Sequence, residues 1–240
     1  KKIAEICSYS NKSLILNKTA QRPAKLTGRV HRGCSDLTSE IMLISSYLFD
    51  YAKEQQMSQA KTLNEQEIKQ VLDYVSTKKY AKRDRALILT SHLSGMRVGE
   101  IASLTVGHVL DQNGNIKNEI RLTAEQTKGK HPRTVFVSSK LKEELANYIQ
   151  LIRTDDKERS LFPTQKNPRM GFTANTLTQH FLSLYKAAGV DGASSHSGRR
   201  TYATSIASQG VGLRVLMRLM GHRNVSTTAV YIDANDNMLR

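Results

Sequence analysis

The sequence predicts a mainly α-helical fold carrying a small antiparallel β-sheet, an α+β arrangement. Three observations point there. Apolar residues recur at helical spacing through most of the chain from Asp36 to Met220. One interval, from Asn113 to Val137, switches to short runs bounded by turn residues. The glycines Gly95, Gly189, Gly210 and Gly221 fall at the ends of the periodic runs. A chain of 240 residues can hold one large domain or two modest ones around a real core.

Residues 1–35 carry eight Lys or Arg and a single acid, Glu5, with Pro23, Gly28 and Gly33 as breakers. No apolar periodicity persists there, so they read as a loosely structured basic segment, either a solvated arm or a DNA-contacting one. From Asp36 to about Gln56, Ile41, Ile44, Leu48 and Tyr51 keep helical spacing behind two early acids, Asp36 and Glu40. One amphipathic helix is predicted, and it needs the next domain or another chain to cover its apolar face. The boundary falls near Ser58–Thr62, dividing an N-terminal part, residues 1–61, from the main domain, residues 62–240.

Asn64 with Glu67 three residues on forms a capping-box start, and Ile68, Val71, Leu72 and Val75 make the buried stripe of the helix that follows. A second helix is predicted from about Lys82 to Ser94, with Leu87, Ile88 and Leu89 inside. Gly95 ends it, and a single short helix carrying Ile101 and Leu104 is expected to run to about Val106–His108. Arg97 therefore sits at a turn between two buried helices. It either pairs with Glu100 to pin the turn or serves a site as a rigidly held cation. Asn113-Gly114 marks a turn, and Ile116, Ile120–Leu122 and Arg133–Val137 read as short antiparallel strands. Gln126–Pro132 is the tip between the last two. Helices are predicted again over Ser139–Ile152, Asn175–Ala188, about Ser197–Ser208 and Leu213–Met220, with a further helical turn at Thr227–Tyr231. Arg153–Arg169, polar and carrying Pro163 and Pro168, is a loop.

Bulk chemistry narrows the function classes. Thirty-six Lys and Arg against 21 Asp and Glu give a net charge of +15, a field that attracts polyanions, nucleic acid first among them. No run of about 18 apolar residues exists to span a membrane, and no apolar stretch follows Lys1-Lys2-Ile3-Ala4-Glu5 as a secretory signal would require. The two cysteines, Cys7 and Cys34, are too few for a disulfide framework and show no zinc spacing. A reducing cytoplasm is the compartment these features predict.

The chemistry-bearing residues concentrate between Ser195 and Tyr231. His196 and Arg199 stand one helical turn apart and can face one site. His222 follows a glycine at a helix end, and Tyr231 lies nine residues beyond it. Singly, each has an ordinary reading: a helix cap, a surface ion pair, a loop histidine, a core tyrosine. Together with Arg97 and Lys128 they resemble the tyrosine recombinase (phage integrase) family, whose signature runs Arg, Lys, His-x-x-Arg, His or Trp, Tyr. The matching stretches are Leu93-Ser94-Gly95-Met96-Arg97-Val98-Gly99-Glu100, Thr127-Lys128-Gly129-Lys130 with Arg133, His196-Ser197-Gly198-Arg199, Leu219-Met220-Gly221-His222, and Ser226-Thr227-Thr228 through Tyr231. The resemblance spans about Leu63 to Tyr231.

It implies the tyrosine recombinase catalytic-domain fold and a DNA recombinase or integrase that cuts and rejoins duplex DNA through a covalent 3′-phosphotyrosyl link, without metal, cofactor or ATP. By the same resemblance, Arg97, Arg199 and His222 stabilise the charge that builds on the phosphodiester, and such cations act best when preorganised. Tyr231 is the nucleophile, His196 assists its deprotonation, and Lys128 protonates the departing 5′ oxygen. Glu100 supports an arginine. Lys130, Arg133 and Arg200 are expected to touch DNA. Lys128 rather than Lys130 fits the family's spacing to Arg133.

The family implies a homo-oligomer, a tetramer on paired sites, with accessory DNA-bending proteins as possible partners and no membrane. Residues 1–61 are shorter and more weakly patterned than a full N-terminal core-binding domain and suggest a reduced or truncated one. A type IB topoisomerase shares the cation-plus-tyrosine chemistry. A non-catalytic DNA-binding accessory protein is the rival from another class.

Overall fold

The computed structural model describes residues 60–152, 156–167 and 170–233. The basic segment 1–35, the helix expected over 36–56 and both cysteines lie outside the described residues.

Helix α1 (Glu65–Ser76) opens with the expected capping box. The Glu67 N–H donates to Asn64 Oδ1 at 2.8 Å, and the Asn64 N–H donates to Glu67 Oε2 at 3.0 Å. Its Val71 and Val75 are fully buried, with Ile68 and Leu72 packed beside them. Helix α2 (Ala81–Ser94) is the central element. Ala86, Leu87, Ile88 and Leu89 are buried along it, and so are Thr90, Ser91 and His92, because α1, a following short helix and two later helices surround it. A fully buried Leu or Ile side chain contributes roughly 2 kcal/mol of burial free energy. Near its start, Arg83 donates two hydrogen bonds to Asp84 Oδ1, and His180 Nε2 lies 2.9 Å from the same oxygen. Gly95, in the left-handed conformation, closes the helix.

The single helix expected after Gly95 is two: α3 (Val98–Ala102) and α4 (Val106–Val109). The interruption has a local cause. Leu104 O accepts from the Leu161 N–H, Val106 N–H donates to Arg159 O, and Thr105 bridges Ser160, so a passing loop takes over the backbone groups a continuous helix would need. The three expected strands are two. Strands β1 (Glu119–Leu122) and β2 (Arg133–Phe136) pair antiparallel with Ile120 opposite Val135 and Leu122 opposite Arg133. Ile116 instead forms an isolated bridge with Leu110 across the Asn113-Gly114 turn, where Asp111 Oδ1 accepts two backbone N–H groups and tightens the loop. Ile120, Leu122 and Val135 face the core.

Helices α5 (Ser139–Ile152) and α6 (Ala174–Ala187) bury Leu141, Leu145, Tyr148 and Leu177, Phe181, Leu184, Tyr185 respectively. Helix α7 (Ser197–Ser208) packs on α2, and α8 (Leu213–Met220) and α9 (Ser226–Asp233) pack on α7. Here a second, smaller core forms from Ala203, Ala207, Leu216 and Met220, with Tyr202, Ile206 and Tyr231 against it. Small residues at 203 and 207 let the neighbouring helices approach closely. Among the described residues, no helix is long and apolar enough to cross a membrane.

Candidate active site

The site forms where four chain segments meet: the α2–α3 turn, strand β2, the first turn of α7, and the α8–α9 connection. Arg97 stands at the α2–α3 turn just before α3, behind the fully buried Met96. Its Nη1 donates to Glu100 Oε1 at 3.1 Å, its backbone N–H donates to Glu100 Oε2 at 2.7 Å, and its side chain remains 29% exposed. The expected pairing with Glu100 is present, and the cation it orients still faces outward.

Glu100 is buried to 1% exposure. Burial by itself would raise its pKa. The charge and hydrogen bonds of Arg133, with the backbone N–H and charge of Arg97, outweigh that and hold the carboxyl below its usual range.

Arg199, on the first turn of α7, is also buried. Its Nη1 donates to the Gly95 carbonyl and its Nη2 to the Met220 carbonyl, so the ends of α2 and α8 are both tied to this one guanidinium. Nη2 also lies 3.0 Å from His222 Nε2. Burial, then the charges of Arg97 and Arg133, push the Arg199 pKa down to about 9, which leaves it cationic at neutral pH.

His222 follows Gly221, whose left-handed backbone ends α8, and its own N–H donates to Met217 O at 3.0 Å. A guanidinium can only donate, so Nε2 accepts from Arg199 and the proton is assigned to Nδ1, which then donates to Thr228 Oγ1 at 2.9 Å. Burial, followed by the charges of Arg199, Arg97 and Arg133, lowers its pKa to about 4. The Tyr231 ring stacks on His222, with centroids 6.1 Å apart and planes at 14°. This contact places the tyrosine beside the cations of its own chain.

The remaining candidates sit differently. His196 is exposed just ahead of α7, with Nδ1 3.3 Å from Ser195 Oγ. Burial of part of the ring, then the charges of Arg199, Lys128 and Arg97, lower its pKa. Lys128 itself is exposed at the hairpin tip. The tip is anchored by its neighbours: Thr127 Oγ1 donates to His131 O at 2.7 Å, and Gln126 Nε2 donates to Ser103 O at 3.1 Å. Lys130 is exposed and holds a positive φ of 51°. Arg200 is half-buried and donates from Nε to Thr62 Oγ1 at 3.2 Å.

Arg133, read from the sequence as a DNA contact, points inward. Its side chain is 9% exposed, and its Nε and Nη2 donate to the two Glu100 oxygens at 3.2 and 2.6 Å. Its Nη1 donates to Leu219 O at 3.0 Å. Sequence reasoning also missed Thr228 and the carbonyls of Gly95, Leu219 and Met220, which hold the arginines and His222 in place. Backbone acceptors leave no signal in a sequence, whereas Thr228, six residues after His222, was at least visible.

Three guanidiniums, Arg97, Arg133 and Arg199, thus surround a single carboxylate, with a neutral histidine and a tyrosine alongside. Such an imbalance in a partly buried setting favours an anionic ligand. Among the described residues, no three His, Cys, Asp or Glu side chains gather in a way that could hold a metal ion.

Comparison with known proteins decides the family. Residues 61–238 match the sequence model of the phage integrase family. The chain belongs to that family. Its phage integrase relatives include the tyrosine recombinase XerA of Pyrococcus furiosus, 27% identical over 171 residues that cover 71% of this chain and 56% of the relative. The tyrosine recombinase XerC of Thermodesulfovibrio yellowstonii is 31% identical over 159 residues, covering 62% of this chain and 50% of the relative. This phage integrase chain therefore spans about half to three fifths of the length of the curated relatives it matches. Among solved structures, a crystal structure of XerA recombinase superposes with a TM-score of 0.61 at 28% identity, covering 75% of this chain and 62% of that one. The Tn1549 transposon integrase in complex with transposon right end DNA shares the fold, with a TM-score of 0.56 at 19% identity over 71% of this chain and 61% of that one. The expected fold class, mainly helical with a small antiparallel sheet, is the one observed, the sheet among the described residues having two strands.

Proposed function

We propose that residues 62–240 form the catalytic part of a site-specific DNA recombinase that breaks and rejoins duplex DNA through a covalent 3′-phosphotyrosyl link. The observation that carries this reading is the cluster of Arg97, Arg199 and His222 around the Tyr231 ring, with more guanidinium charge than its one carboxylate can balance.

In this reading the Tyr231 hydroxyl oxygen attacks the scissile phosphorus, and the bond from phosphorus to the 5′ oxygen breaks. The charge that builds on the non-bridging oxygens is met by Arg97 and Arg199, which need no reorganisation as it develops. His222 is depressed first by burial and then by the charges of Arg199, Arg97 and Arg133, and a phosphodiester placed there offsets only the part due to those charges. The lowered pKa of His196 keeps it neutral near pH 7, able to take the tyrosine proton. Lys128 gives a proton to the departing 5′ oxygen. One phosphorus–oxygen bond replaces another, so the step can be reversed by a new 5′ hydroxyl without ATP.

Duplex DNA is the substrate this chemistry requires, and the net charge of +15 supplies the long-range attraction. Lys130 and Arg200 lie at the margins of the site as DNA contacts. Exchange between two duplexes requires four such sites, hence a homo-tetramer on paired sites, with DNA-bending proteins as possible accessories. Residues 1–61 would act as a reduced or truncated core-binding part.

The decisive experiment is covalent trapping on a nicked duplex bearing candidate element ends. The wild-type chain should form a protein–DNA adduct stable to denaturant, and Tyr231→Phe should bind the same duplex equally well yet form none. An adduct formed by Tyr231→Phe would remove the nucleophile assignment.

A further inference from the structure

Arg133 makes a set of contacts that a DNA-binding cation does not need. Its guanidinium takes both oxygens of Glu100, the carboxylate that also receives the side chain and the backbone N–H of Arg97. Its third nitrogen reaches the Leu219 carbonyl in the last turn of α8, three residues before His222. Its aliphatic stem lies against Gly221, where an added Cβ would fall 2.7 Å from Arg133 Cδ. A side chain at 221 would also have to adopt a φ of +61°. Each of its three nitrogens has a protein acceptor, and only 9% of the side chain is exposed.

We infer that Arg133 is a positioning residue of the proposed recombination reaction: its bidentate grip on Glu100 and its bond to Leu219 hold Arg97 and His222 in one fixed relation. The inference rests on the functional reading above. The physical requirement is specific to arginine. Its planar fork meets both carboxylate oxygens and a carbonyl at once, whereas a lysine ammonium cannot span them. Arg133 also begins β2, five residues after Lys128, so the same anchor ties the base of the hairpin to the other cations. If the anchor is lost, Arg97 keeps its charge but is left as the one guanidinium bonded to Glu100, whose carboxylate is then free to turn, and the end of α8 is freed from the sheet.

The test uses the full chain and a nicked duplex carrying a candidate site, comparing wild type with Arg133→Lys and Arg133→Met. Two quantities are read: the dependence of DNA affinity on salt, and the single-turnover rate of adduct formation at saturating DNA. Both variants should keep the wild-type salt slope, while the rate falls by roughly a hundredfold, the scale of a catalytic group displaced by about 1 Å. A phosphate contact would behave in the opposite way. Its loss reduces the slope of log affinity against log salt by about 0.9 and leaves the saturated rate near wild type. That result would overturn the inference.

The double variant Arg133→Met with Glu100→Gln separates positioning from mere stability, because it removes both members of the Arg133–Glu100 pair and leaves no buried carboxylate short of its Arg133 partner. It should regain most of the melting temperature lost in Arg133→Met while staying slow, and recovery of both would overturn the proposal. A wild-type chain that binds duplex but forms no adduct would overturn the functional reading instead. The salt slope, read from binding alone, would still decide whether Arg133 touches phosphate.

Discussion

His222 is held by two partners of different kinds. Arg199 donates to one ring nitrogen, which obliges the other to carry the proton and give it to Thr228 Oγ1. Thr228 is fully buried, so its hydroxyl has no water to fall back on. Thr228→Val keeps the volume and removes the acceptor, leaving an unsatisfied N–H and a ring free to turn. A hydrogen bond of this sort contributes about 1–1.5 kcal/mol. The single-turnover rate of adduct formation should accordingly fall about tenfold, with DNA affinity unchanged. A wild-type rate would show that the tautomer is set elsewhere. The six signature residues stand in the sequence as a family pattern of type and order. Thr228 stands in the sequence only as part of the Ser226-Thr227-Thr228 stretch, and its hydroxyl acquires a purpose only once α9 folds back beside the α8 end.

At the level of elements, the site depends on how closely α7 approaches α2. Gly198, one residue before Arg199, faces Ser91 of α2, and a Cβ placed there would lie 2.3 Å from Ser91 Oγ, 2.9 Å from its Cβ and 3.1 Å from its backbone carbon. The glycine is therefore a condition for the contact that brings Arg199 to the Gly95 carbonyl. Gly198→Ala should push the helices apart and destabilise the domain by about 1–3 kcal/mol, as overpacked cores do. Thermal or denaturant unfolding measures this, and Ser91→Gly in the same chain should restore part of the loss. Absence of any change would mean that α7 can shift freely. The helices themselves were legible from periodicity, down to the capping box of α1. The break between α3 and α4 was not, because the loop residues that take over the backbone at 104–106 come from more than fifty positions away in the chain.

Across the domain, His92, His222 and Glu100 are all shifted downward and so act together on acid stability. His92 is 6% exposed on α2, and its Nδ1 has no hydrogen-bond partner among the described residues. Burial lowers its pKa to about 4. His222 is lowered to the same value. Unfolded histidines, near 6.5, take up protons before the folded ones do, so stability is present above about pH 6.5 and falls as the pH drops toward 4. Glu100, held below its ordinary value, adds stability that is present above about pH 4.5 and lost as the pH falls through its folded pKa. The urea midpoint should thus be lower at pH 5 than at pH 7.5. His92→Gln, which keeps a polar group near the Tyr185 hydroxyl, should flatten that decline. An unchanged pH slope in the variant would remove His92 as a source.

What the sequence determined alone was most of the helices, the polyanion-seeking charge and a resemblance, carried by Arg97, Lys128, His196, Arg199, His222 and Tyr231, to the family the chain belongs to. The helices follow from local periodicity, and the resemblance from the order and spacing of residues that singly have ordinary readings. The tertiary structure decided which cations face outward and which are used up inside. Arg133 and Arg97 look alike as letters, yet one is spent on Glu100 and the Leu219 carbonyl while the other remains accessible beside them. That distinction depends on backbone carbonyls and a shared carboxylate, brought together by segments more than a hundred residues apart in the chain, and no local pattern encodes it.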